Sequence, residues 1–99
     1  MEYVSRDELR QQFTDTLGEL MDRYHLDDAG VFEEEGPEER FYMGYTIRKS
    51  GHVYMIHLPY VKNEAEQLAV EKEEWTIEKD DGEEIDGIAT LDEVFNKIH

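Results

Sequence analysis

RFYMGYTIRKSGHVYMIHLPYVKN, residues 40–63, is the stretch from which the rest of the chain can be placed. Phe41, Met43, Tyr45 and Ile47 alternate with Tyr42, Gly44, Thr46 and Arg48, the period of a strand with one buried face. After Lys49-Ser50-Gly51-His52, the run from Val53 to Tyr60 reads as a returning strand. Two registers compete. If Ser50-Gly51 is a two-residue turn, Phe41, Met43, Tyr45 and Ile47 share a face with Tyr54, Ile56, Leu58 and Tyr60, and that face is wholly apolar or aromatic. If Lys49-Ser50-Gly51 forms a type I turn with a glycine bulge, the second strand shifts by one residue and presents the opposite set. Patterning points to the first register and turn chemistry to the second; the first is preferred.

Electrostatically, too, this window stands apart. It contains none of the 26 acidic residues but carries Arg40, Arg48, Lys49 and Lys62, with His52 and His57. The other 75 residues hold all 26 acids and only six bases, so a cationic, tyrosine-rich hairpin is set in an anionic body of net charge −16. Such a body repels nucleic-acid backbones and anionic membranes, which argues against direct binding to either. Self-repulsion also opposes compaction.

Outward from the hairpin, Ser5 and Glu8 form a capping box before Leu9, Phe13, Leu17, Leu20 and Tyr24, so Ser5 to about His25 is expected to be an amphipathic helix. Asp27-Asp28-Ala29-Gly30 is read as its end, Val31-Phe32 as a short edge strand, and Glu33 to Glu39 as a solvated loop. Asn63 to Trp75 is ambiguous. Asn63 and Glu66 fit a helix cap, but the β-rich Trp75 to Lys79 run after it favours strand. Asp80-Asp81-Gly82 reads as a hairpin turn, and Thr90 with Glu93 caps a closing helix bearing Leu91, Val94, Phe95 and Ile98. The expected fold is a single α+β domain over residues 1–99: an N-terminal amphipathic helix, an antiparallel meander of three to four strands and a short C-terminal helix.

Chemistry is sparse. Cysteine is absent, so sulfur ligation, thiolate catalysis and disulfides are excluded. His52 and His57 are five residues apart, which places them on opposite faces of a strand; His25 and His99 are expected at helix ends, and no metal site is expected from the four. The acidic turn at Asp80 to Asp86 lacks the residue alternation of a calcium loop. No cofactor fingerprint is present, and the abundance of carboxylates distinguishes no catalytic pair. Gly18 lies opposite the apolar stripe of the first helix and is read as a surface glycine, the closer approach of another backbone being the alternative.

The segments Phe41 to Tyr45, Tyr54 to Tyr60 and Glu74 to Ile77, with the closing Thr90 to Phe95, resemble small acidic cytosolic proteins of uncharacterised function in Bacillus-type bacteria. That resemblance implies no activity and no site residues. The layout is also similar to the small, acidic, dimeric helix-and-meander chaperones of secretion systems, on arrangement and charge alone.

The functional expectation is a noncatalytic protein-binding or adaptor module that works in the cytoplasm without a cofactor. Its candidate contact residues are Tyr42, Tyr45, Arg48, Lys49, His52, Tyr54, His57 and Tyr60, and a homodimer through the charge-poor hairpin is part of that expectation. The alternatives are an acidic decoy that imitates nucleic acid and a small-molecule-binding enzyme subunit.

Overall fold

A computed structural model describes residues 2–98. Helix α1 (Arg6–Tyr24) is followed by strands β1 (Asp28–Glu35), β2 (Arg40–Lys49), β3 (His52–Lys62), β4 (Leu68–Val70), β5 (Trp75–Lys79) and β6 (Glu84–Ile88), then helix α2 (Leu91–Lys97). Among the described residues the strands form one antiparallel sheet of six in the order β1-β2-β3-β5-β6, with β4 also paired to β3. The protein is thus α+β, with both helices on one sheet face.

Both expected caps form. The Ser5 hydroxyl accepts the Glu8 N–H at 3.1 Å, and the Thr90 hydroxyl accepts that of Glu93 at 3.2 Å. Leu9, Phe13 and Leu20 of α1 and Val94 and Phe95 of α2 are buried against the sheet. Tyr24 stacks on Phe95 with ring centroids 3.9 Å apart and bonds Asp92, which joins the helices to each other. Gly18 is exposed, and a Cβ there would meet nothing within 4 Å, in keeping with a surface glycine.

The hairpin adopts the register that places Phe41 opposite Tyr60, Tyr45 opposite Ile56 and Lys49 opposite His52. Ser50 and Gly51 both have positive φ, 53° and 82°, as a two-residue type I′ turn requires. Serine is an unusual choice there, and tertiary bonds support it. The Asp27 carboxylate accepts the Ser50 N–H at 3.0 Å, and the Lys49 ammonium donates to the Tyr24 carbonyl at 3.0 Å, at the negative end of α1. The buried face outweighs local turn preference because a one-residue slip of β3 would turn Tyr54, Ile56, Leu58 and Tyr60 away from the core.

Three local expectations are corrected. Helix α1 ends where expected, at Tyr24 with His25 as its left-handed cap at φ 54°, but Asp28 to Gly30 belong to β1 and not to the helix end. Glu33 to Glu35 extend that strand: Glu33 faces the helix side and binds Arg10 through two nitrogens, at 2.7 and 2.9 Å, and Arg6 at 3.0 Å. Between Asn63 and Trp75, strand is confined to Leu68–Val70. Asn63 caps a turn, its carbonyl oxygen accepting the N–H groups of Ala65 at 3.0 Å and Gln67 at 2.9 Å.

Pro59 sits where the neighbour of β3 changes. Residues Tyr54 to His57 pair with β5 and Tyr60 to Lys62 with β4, while the Pro59 carbonyl accepts the Glu71 N–H at 2.9 Å. The missing proline donor falls on that same side, at the break between two partner strands, so the ladder loses little.

Candidate partner-binding surface

The alternation that builds the core divides the eight candidate residues between faces. Tyr45, Tyr54 and Tyr60 point under the helices and are 4%, 6% and 5% exposed. They are core residues, and the Tyr45 hydroxyl shares a hydrogen bond with Thr16 of α1. A carboxylate placed at Tyr54 would therefore disrupt the fold and could not report on a contact surface. Lys49 is engaged at the end of α1, and exposed His52 lies 3.6 Å from Asp80 across the neighbouring turn. Arg48, Tyr42 and His57 belong to the opposite face, which neither helix covers.

Gly44 organises that uncovered face. It lies between Phe32 on β1 and His57 on β3, and their rings stack above it with centroids 5.3 Å apart. The backbones are so close that a Cβ on Gly44 would sit 1.9 Å from the Ile56 carbonyl oxygen. Tyr42 meets His57 edge-on at 5.3 Å. His57 is only 8% exposed, and its Nε2 donates to Glu78 Oε2 at 3.2 Å, a carboxylate being able only to accept. Its Nδ1 is sealed from solvent without a partner.

Around this aromatic floor the face is concave, with a cavity of about 530 Å³ over Tyr42, His57, Pro59 and Thr76. Six carboxylates surround it: Glu34, Glu71, Glu74, Glu78, Glu84 and Asp86. Its two cations are already engaged, Arg40 with Glu71 at 3.3 Å and Lys72 with Glu74 at 3.4 Å. Glu34, Glu84 and Asp86 have no cationic partner among the described residues. Of the hairpin's four cations, Arg40 and Lys62 are paired with Glu71 and Glu35, acids distant in sequence, so half of its positive charge is neutralised by partners that the window does not contain.

Among the described residues no group of three or more His, Asp or Glu side chains is arranged to hold a metal ion. His99 lies outside the described residues. No helix among those described is long and apolar enough to cross a membrane.

A profile described as a family of unknown function, DUF5634, matches residues 3–98. The chain belongs to that family. The DUF5634 match takes in both helices and every strand, so it covers the site together with the scaffold that shapes it. No curated protein matches the chain. The acid-rimmed floor was missed in sequence because its carboxylates come from β1, β5, β6 and the segment after β4. The available signal was the polar half of the hairpin alternation, Tyr42, Gly44 and His57, a glycine flanked by aromatic residues on an otherwise regular strand.

Proposed function

We propose that the protein is a noncatalytic binding module whose uncovered sheet face receives an extended, arginine- or lysine-bearing segment of a partner protein. The observation that supports this reading is the concave aromatic floor with Glu34, Glu84 and Asp86 unmatched at its rim. A guanidinium laid over Tyr42 gains cation–π attraction of about 0.5–1 kcal/mol, more when desolvated. The carboxylates then supply charge-assisted hydrogen bonds, and the field of the body steers a cationic partner toward the face. The same reading places the protein in the cytoplasm, as in the acidic Bacillus-type proteins it resembles. It also includes a homodimer, although β2 and β3 of the charge-poor hairpin are interior strands of the sheet and offer no free edge for it; sedimentation equilibrium at tens of micromolar tests that part.

The main reading is tested with a synthetic peptide of alternating arginine and alanine, titrated by calorimetry. A variant combining Glu34→Lys, Glu84→Lys and Asp86→Lys is compared with one combining Asp15→Lys, Glu19→Lys and Asp22→Lys on α1. Both raise the net charge equally, so they differ only in where the charge lies. The rim variant is expected to bind at least about tenfold more weakly and the helix variant within about threefold of native at physiological salt, where the Debye length is about 8 Å. Equal losses in the two would show non-specific attraction and defeat the assignment of this face.

A further inference from the structure

A second concavity lies on the other side of the sheet, and its chemistry is the reverse of the first. The segment before α1 is tied to β4 by the Val4–Leu68 bridge, leaving a cleft of about 510 Å³ over β3, β4 and β5, with apolar walls including Leu9, Leu58, Leu68, Val70 and Trp75. It adjoins a smaller hollow of about 190 Å³ through shared Leu9, Gln12 and Tyr60. The larger cleft lies within the size range of small-molecule sites, roughly 300–1,000 Å³.

Tyr60 is the informative residue. It is 95% buried and lines both hollows, yet its hydroxyl makes no hydrogen bond with any described residue. Among those residues the Nδ1 of His57 is the one side-chain polar atom both sealed and unpaired, so the Tyr60 oxygen is not sealed and is reached from the two adjoining hollows that the residue lines. Burial pushes its ionisation well above the usual phenol range, with a smaller contribution from Tyr45, so it remains an O–H donor at physiological pH. An O–H with no protein acceptor, set among mainly apolar walls, is a donor that a ligand oxygen can take over from water. The cleft also includes two carboxylates, Glu2 and Glu73, in a chain of net charge −16, which disfavours an anionic ligand.

We infer that this cleft binds an uncharged amphiphile, with a hydrocarbon body against Leu58, Leu68 and Trp75 and one acceptor oxygen on the Tyr60 hydroxyl. The site is independent of the acidic face: the two lie on opposite sides of the sheet and either can fail without the other.

Trp75 is the sole tryptophan and lines the cleft, so its emission reports occupancy. The probes are 1-decanol and decanoate, each kept below the concentration at which it aggregates. Decanol is expected to change the emission saturably and raise the melting temperature, with decanoate at least about tenfold weaker at neutral pH. Tyr60→Phe keeps the ring and removes the donor, and should weaken decanol about three- to tenfold. Gln12→Phe, at an exposed position of α1, should obstruct the cleft without touching the core and abolish the response. Non-saturable decanol binding, equal affinity for decanoate, or unchanged affinity in Tyr60→Phe would each overturn the inference. A native dimer dissociated by Gln12→Phe would assign the cleft to a second copy of the chain and overturn it as well.

Discussion

Adding a single carbon at Gly44 should be among the most damaging small substitutions in this protein. Gly44 does not have the left-handed φ that usually selects glycine, so the cost arises from contact. An alanine Cβ would lie 1.9 Å from the Ile56 carbonyl oxygen, 2.8 Å from the carbonyl carbon and 2.6 Å from His57 Cα, all backbone atoms of β3. No rotamer change can relieve this, and normal contact at about 3.5 Å requires β2 and β3 to separate locally by over an ångström. Such separation breaks or stretches the flanking ladder bonds, at about 0.5–1.5 kcal/mol each and more where a buried group stays unpaired. It also disturbs the Phe32–His57 stack, worth about 0.5–1.5 kcal/mol beyond its buried area if it behaves like other aromatic pairs. Together these give about 3–5 kcal/mol, against a total of about 5–15 kcal/mol for a domain of this size. At about 4–8 °C per kcal/mol, Gly44→Ala should lower Tm by at least about 12 °C in a far-UV circular dichroism melt. Gly18→Ala is the control: mid-helix and exposed, with open space for its Cβ, it should gain close to 1 kcal/mol. A Gly44→Ala variant within about 1 kcal/mol of native would refute the close-approach argument.

The Arg6–Glu33–Arg10 clasp gives a pH-dependent prediction. The Arg10 hydrogen bond chiefly, with help from Arg6, holds the Glu33 carboxyl below its ordinary 4.5, so its contribution is present above that value and is lost as pH falls through the lowered folded one. Glu33→Gln should therefore cost about 1–3 kcal/mol in urea unfolding at pH 7, and its deficit should shrink at acid pH; a deficit constant with pH would show that charge plays no part. Ser50→Asn, which suits the type I′ turn better, should stabilise by about 0.5 kcal/mol while leaving the Asp27 bond to its backbone in place, as measured by the urea midpoint. Raising salt from low to physiological strength should increase Tm by screening repulsion among the excess carboxylates; a flat or falling Tm would mean that attractive pairs dominate the surface.

Periodicity in the sequence was sufficient to place α1, the β2–β3 hairpin, β5 and α2, because each buries one regular face and begins or ends with local chemistry such as Ser5, Thr90 or Gly51. The alternation also selected the correct hairpin register over the turn's own preference, since register commits an entire face and a turn only two residues. The extension of β1 through Glu33 to Glu35 was hidden, because three consecutive acids read as solvent until Arg6 and Arg10 are brought across from α1. Alternation divided the tyrosines between faces, but grouping them as one contact surface set that division aside. Tyr42 and Tyr45 are three residues apart, and an odd separation on a strand places one on the acidic face and the other in the core. Charge was the most misleading local signal: the hairpin is cationic along the chain, but folding brings Glu71 to Arg40, Glu78 to His57, and Glu34, Glu84 and Asp86 to the rim. Electrostatic surfaces and clefts are sums over distance in space, so only the packed chain could show an acid-rimmed floor on one side of the sheet and the Tyr60 hydroxyl in an apolar cleft on the other.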